Sequence, residues 1–240
     1  MRKFPNNLSN TIEEVLAQEW VPNRLIYECV YNRFPPLQRK NELRAMLEVA
    51  KLEKPKTVME VGPANGGGLA HWCMALNDTV ERVIACDLRD VPYKSAFEKA
   101  FPHIQFLWLS GGSRMVGNVK KVNEWLGKHK INVLFLDGDK NHFSADFATY
   151  LPLVNGVVFF HDIQHNKTQS DFEGRAKVRP KAHVRILDTT ESFELVMRAR
   201  EHEQETGEPY KPKNSYESWL LHWRGKGAGV GVIWHKGEKK

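Results

Sequence analysis

The chain has 240 residues, 41% of them hydrophobic and 27% charged, with a formal net charge of +6, which is enough for one large domain with its own core. No apolar run approaches the roughly 20 residues of a membrane helix, and the opening MRKFPNNLSN lacks the apolar centre of a signal peptide, so no membrane helix is expected and a cytoplasmic protein is. Cys29, Cys73 and Cys86 are scattered through apolar segments, which argues against a disulfide or zinc framework and predicts reduced thiols.

Residues 1–55 read as a helical lead-in. Asn10 or Thr11 can cap a helix carrying Ile12, Val15 and Leu16. A second apolar cluster, Leu25 to Tyr31, ends before Pro35-Pro36. Leu43, Met46, Leu47 and Ala50 form an amphipathic stripe. Leader helices of this kind cover a ligand, build a homodimer interface or pack on a sheet edge, and all three remain open.

The stretch Lys56–Asp87 organises the remainder. Val58, Met59 and Val61 make a short apolar run that fits a buried parallel strand. Gly62-Pro63-Ala64-Asn65-Gly66-Gly67-Gly68 follows, then Leu69, Trp72, Cys73 and Leu76 at helical spacing. Arg82–Cys86 is a second apolar run and ends in Asp87. Strand, glycine turn, helix, strand and acid make a nucleotide-binding βαβ unit. The glycines let the backbone turn and approach a ligand. Gly62, three residues and Gly66–Gly68 depart from the G-x-G-x-x-G of dinucleotide sites. Glu60, just before the turn, would repel a pyrophosphate and suits a cationic group instead. Asp87 is placed to accept from both hydroxyls of a ribose.

Helices and strands then alternate. Tyr93–Phe101 reads as a helix closed by Pro102, and Ile104–Leu109 as the third strand, followed by the loop Ser110 to Ser113. Met115 to Leu126 gives a helix ended by Gly127, and Val133–Leu136 the fourth strand, which stops at Asp137-Gly138-Asp139-Lys140. Phe143 to Leu151 marks another helix; Gly156 is expected to turn the chain into the fifth strand, Val157–Phe160, which stops at His161-Asp162. Residues 164–214 form a polar, charged insert, within which His183–Leu187 fits a strand and Phe193 to Met197 a helix. Tyr216 to Trp223 suggests a last helix and Gly229–Trp234 a last strand. The pattern predicts an α/β fold: one doubly wound, Rossmann-like domain over residues 56–240 with a mostly parallel sheet and an antiparallel last strand. Its site is expected at the C-terminal strand ends, with the first and fourth strands adjacent at the crevice.

These residues resemble the class I methyltransferases, which use S-adenosylmethionine (SAM) and whose first motif reads acid-x-Gly-x-x-x-Gly. More narrowly, FLDGDKNHFSADFATYLPLVNGVVFFHDI is similar to the strand-four to strand-five region of the cephalosporin-hydroxylase-like group, related to the catechol and caffeoyl-CoA O-methyltransferases. The likeness covers about residues 38–165 and 216–235. It implies SAM held by Glu60, Gly62, Gly66, Gly67, Asp87 and Ser113. It implies a divalent cation, Mg²⁺ or another, on Asp137, His161 and Asp162; carboxylates suit a hard cation and the imidazole leaves manganese or iron open. It makes Lys140 the candidate base beside Asp137, with Asp139 and His142 as alternates. Gly112 stands where this group often has an acid against the adenine.

Three activities follow as expectations: O-methylation of a small-molecule or sugar hydroxyl, methylation of nucleic acid through a basic patch (Lys167, Arg175, Lys177, Arg179, Lys181, Arg185), or SAM binding without turnover.

Overall fold

The computed structural model describes residues 38, 40–64, 66–91, 93–139, 142–161, 183–187, 198, 202, 205–208, 211 and 230–235. In chain order these give α1 (Lys40–Leu52), β1 (Thr57–Val61), α2 (Gly67–Ala75), β2 (Arg82–Asp87) and α3 (Lys94–Ala100). They continue with β3 (Gln105–Ser110), α4 (Val116–Leu126), β4 (Ile131–Leu136), α5 (Phe143–Tyr150), β5 (Val154–His161), β6 (His183–Leu187) and β7 (Val230–His235). The expected helices before residue 38 and after residue 187 lie outside the described residues or are described only at single positions.

The strands form one seven-stranded sheet in the order β3-β2-β1-β4-β5-β7-β6. From β3 to β5 all pairs are parallel, and β7 runs antiparallel to both β5 and β6. The doubly wound α/β expectation therefore holds, including its antiparallel last strand. The order reverses between β1 and β4, which lie side by side as expected. Strand ends that diverge at such a reversal leave a crevice.

Period-two alternation along the strands sends side chains into two cores. Val58, Val83, Phe135 and Phe159 face α1, α2 and α3, where Trp72 stacks on Phe159 at 5.8 Å between ring centroids. Met59, Ile84, Leu134 and Phe160 face α4 and α5, with Phe147 and Tyr150 packed over them. Strands buried on both faces read as continuous apolar runs, which is why β1, β2, β4 and β5 were legible.

Two glycines act differently from the sequence reading. α2 begins at Gly67, ahead of the first apolar residue Leu69, because Gly66 takes the left-handed conformation (φ 77°) at the N-cap. Gly156 does not turn the chain; it lies inside β5. A Cβ there would fall 2.1 Å from the Asn132 carbonyl oxygen, so the glycine permits a close strand approach beside the register shift between Ile131 and Val133. No helix among the described residues is long and apolar enough to cross a membrane.

One buried histidine ties the fold to pH. His71 on α2 is 2% exposed, its Nδ1 lies 2.6 Å from the Gly67 carbonyl oxygen, and burial lowers its pKa from 6.5 to about 4. Between those values the unfolded chain takes up a proton that the folded chain refuses, so stability rises with pH in that window. The contribution is complete above pH 6.5 and is lost as pH falls towards 4, on the order of 3 kcal/mol in all. In urea titrations between pH 7 and 4, His71→Gln is expected to flatten the pH profile by that amount. Parallel profiles for the two proteins would contradict this origin.

Candidate functional site

The crevice above β1 and β4 opens into a cleft of about 700 Å³. Its shape begins at Gly62, where the chain leaves β1 with φ 87°. A Cβ on Gly62 would fall 2.7 Å from the Asp137 carbonyl oxygen and 2.8 Å from the Gly138 Cα. Only glycine therefore lets the ends of β1 and β4 meet this closely. Hydrogen bonds continue across the junction, from Gly62 N–H to the Cys86 carbonyl (2.8 Å) and from Asp137 N–H to the Val61 carbonyl (2.9 Å).

Asp87, at the tip of β2, fixes the glycine turn. The Ala64 N–H donates to its Oδ2 at 3.0 Å and the Arg89 N–H to its Oδ1 at 3.1 Å. Tyr93 donates its hydroxyl to the Ala64 carbonyl at 2.9 Å. Ala64 holds φ 48°, a left-handed conformation uncommon outside glycine, kept in place by these bonds. Each Asp87 oxygen keeps a lone pair for a ligand donor. Beside it stand Leu88, 73% exposed, and Met115, 58% exposed, both lining the cleft. Apolar side chains open to solvent on either side of a cleft suit the faces of a flat ring. Cys86 forms the floor, with its thiol pushed up to about 12 by burial and then by Asp146 and Asp87. It is an inert thiol, and Cys73 is likewise free and buried; Cys29 lies outside the described residues.

The opposite wall comes from the β3–α4 loop and α5. Ser113 donates its hydroxyl to Asp146 Oδ1, and Tyr150 donates to the Ser113 carbonyl. Arg114 Nε lies 3.5 Å from the same Asp146 oxygen. Asp139 and His142 also line the cleft, with 3.6 Å between Asp139 Oδ2 and His142 Nε2.

Below the β1–β4 junction lies a buried polar group. Glu60 is 1% exposed and faces α2, where a Cβ on Gly68 would fall 2.6 Å from its Oε1. Burial, then Asp137 and Asp87, push its carboxyl well above the usual carboxylate range, while His161 opposes them. Asp137 Oδ1 lies 2.8 Å from His161 Nδ1, and Gln38 donates to Asp137 Oδ2. His161 Nε2 lies 3.5 Å from Glu42 Oε2. Through Gln38 and Glu42, the start of α1 and the chain just before it enter the site itself.

Of the residues expected to hold a ligand, Gly62, Asp87 and Ser113 line the cleft. Glu60 lies beneath it, and Gly66 and Gly67 form the start of α2 behind the turn. Asp137 and His161 come together, and Asp137 lines the cleft. They meet as a hydrogen-bonded pair, with Gln38 bonded to Asp137 and Glu42 near His161, and among the described residues no group of three His, Cys, Asp or Glu side chains can hold a metal ion. Asp137 and His161 are two of the three expected ligands, and the third lies outside the described residues. Lys140, Asp162 and the basic side chains of the insert lie outside those described.

Several contributors escaped the sequence reading. Asp146 and Tyr93 sat within helix patterns as ordinary members. Gln38 and Glu42 precede or begin the α1 stripe. The one signal was Glu42 itself, an acid adjoining the apolar positions of an amphipathic helix.

No family model and no curated protein matches the sequence. Solved structures do match in fold. An O-methyltransferase from Bacillus cereus in complex with S-adenosylhomocysteine (SAH) is 14% identical, with a TM-score of 0.53 over 97% of this chain and 92% of that one. The SAH-bound methyltransferase PaMTH1 of Podospora anserina is 14% identical, with a TM-score of 0.52 over 98% and 99%. TomG of Streptomyces achromogenes, an O-methyltransferase of tomaymycin synthesis in complex with SAM, is 12% identical, with a TM-score of 0.51 over 99% and 100%. The chain thus has the fold of solved class I methyltransferases.

Proposed function

We propose that this protein is a SAM-dependent methyltransferase acting on a hydroxyl of a small molecule or sugar. The observation that carries the reading is Asp87, whose carboxylate stands at the tip of β2 beside the glycine turn, in a cleft made by the β1–β4 reversal. The fold shared with SAM- and SAH-bound O-methyltransferases supports it.

SAM would supply an electrophilic methyl group on a sulfonium. Asp87 accepts the ribose hydroxyls, and Leu88 and Met115 enclose the base. The glycine turn lets the backbone approach without a Cβ in the way. Asp137, fixed by His161 and Gln38, presents a carboxylate at the junction, where it orients an acceptor hydroxyl. The Asp139–His142 pair is the proton acceptor available among the described cleft residues, with Lys140 the one implied by resemblance. Holding the two reactants in line supplies most of the rate; such positioning contributes up to about 7–11 kcal/mol.

The test is transfer of label from methyl-tritiated SAM to a panel of hydroxylated small molecules and sugars. Labelled product that disappears in His142→Ala plus Asp139→Ala, with SAH affinity retained, is the expected result. Label reaching only RNA or DNA would replace the acceptor class, and no transfer to any acceptor would leave a binding protein. An EDTA arm reports whether a divalent ion takes part through Asp162.

A further inference from the structure

The sheet ends at β3 without the features that usually close an edge. The strand runs Gln105-Phe106-Leu107-Trp108-Leu109-Ser110, with no charged residue and no proline, and its register with β2 is continuous, without a bulge. Soluble proteins use such features to keep strands from pairing edge to edge. Among the described residues, β2 is the only strand paired with β3. The Gln105 N–H donates to the Glu81 carbonyl at 2.9 Å, so Gln105, Leu107 and Leu109 turn their peptide groups towards β2. The alternate residues, Phe106, Trp108 and Ser110, turn theirs outward.

Both cores reach the surface along this edge. Phe106 and Trp108, with Ala96 of α3, are half-buried against the core on one face of the sheet. Leu107, with Val119 and Trp125 of α4, is half-buried against the core on the other. Phe106 and Trp108 stack at 5.0 Å between ring centroids, and Trp108 Nε1–H donates to Glu98 at 2.9 Å. A core that opens at one edge, with fixed aromatic rings at its rim, is what half of a homodimer interface presents.

We propose that the β3 edge is an interface between two copies of this chain, paired antiparallel about a two-fold axis at Trp108. That axis sets Trp108 opposite its own copy, exchanging two peptide hydrogen bonds, and Phe106 opposite the partner's Ser110. The charges agree with it. Lys94 and Ser110 both donate to Asp90, which places Lys94 by the end of β3, while Glu98, four residues on along α3, stands beside Trp108. Reversing one copy brings Lys94 of each chain towards the partner's Glu98. The area agrees as well. A strand of this length spans ~20 Å, and a helix on each face makes the edge ~30 Å high. The face is therefore on the order of 600 Å² in projection and more in accessible area, close to the ~800 Å² per partner of a standard interface. The pairing is independent of what the cleft binds.

The experiment is analytical sedimentation of the full chain over a dilution series, with circular dichroism of each variant to establish folding. The expected mass of the unaltered protein at tens of micromolar is twice the 27.7 kDa of the chain. Trp108→Lys sets two like charges directly opposite each other and should raise the dissociation constant about a hundredfold or more. Glu98→Lys, at an exposed site, should raise it about tenfold, because the axis counts the change twice. Adding Lys94→Glu to Glu98→Lys exchanges the two charges and should restore most of the affinity. A monomer at the highest concentration overturns the proposal. So does an unchanged dissociation constant in a folded Trp108→Lys protein, because the interface then lies elsewhere. If that variant fails to fold, an unchanged constant in Glu98→Lys overturns it instead.

Discussion

Gly62→Ala is expected to destabilise the protein by about 2–5 kcal/mol and to abolish SAH binding. The left-handed φ of 87° costs an L-residue about 1–2 kcal/mol. The added Cβ would also fall 2.7 Å from the Asp137 carbonyl oxygen, and both partners are backbone that cannot swing aside. Forcing one methyl group into a close-packed place costs about 1–3 kcal/mol more. Relief requires β1 and β4 to separate at their tips, which is where the cleft is formed. Urea denaturation gives the stability and calorimetry the binding. An unchanged midpoint and unchanged affinity in the Gly62→Ala protein would mean that the two strand ends do not meet as described.

Asp87→Ala should leave the fold in place and remove most of the ligand affinity. The carboxylate is partly exposed, and the bonds it makes within the protein are to the Ala64 and Arg89 N–H groups on the rim. The bonds it would make to a ribose are charge-assisted, roughly 1.5–3 kcal/mol each. Losing two of them amounts to a factor of about 100 or more in Kd. Part of that loss comes from releasing the turn at Ala64, and Tyr93→Phe separates the two effects because it frees the turn without touching the ribose acceptor. A drop of less than about threefold in Asp87→Ala would remove Asp87 from the ligand site.

The fold was legible because each parallel strand is a short apolar run that ends at polar residues. Where a polar residue or glycine serves the sheet instead of ending it, the sequence misleads. Asn132 and Gly156 hid the starts of β4 and β5, and the glycine is explained only by the close strand approach, where an added Cβ would fall 2.1 Å from the Asn132 carbonyl oxygen. That Gly62, Asp87, Ser113 and Asp137 line one cleft was legible because strand ends of an open sheet share one edge. Glu60 shows the limit of that rule. It occupies the right position along β1, but alternation turns it to the α2 face with Val58, below the cleft. Asp146, Gln38 and Glu42 reach the site through tertiary packing, and Gln38 meets a carboxylate 99 residues away in the chain. No local pattern carries such a contact.

Calorimetric titration of the unaltered protein with SAH and, separately, with NAD tests the central reading most directly. The geometry of the glycine turn and the Asp87 carboxylate predicts micromolar binding of SAH and none of NAD, whose pyrophosphate would come to rest beside the Asp87 and Asp137 carboxylates. Binding of NAD without binding of SAH would contradict it.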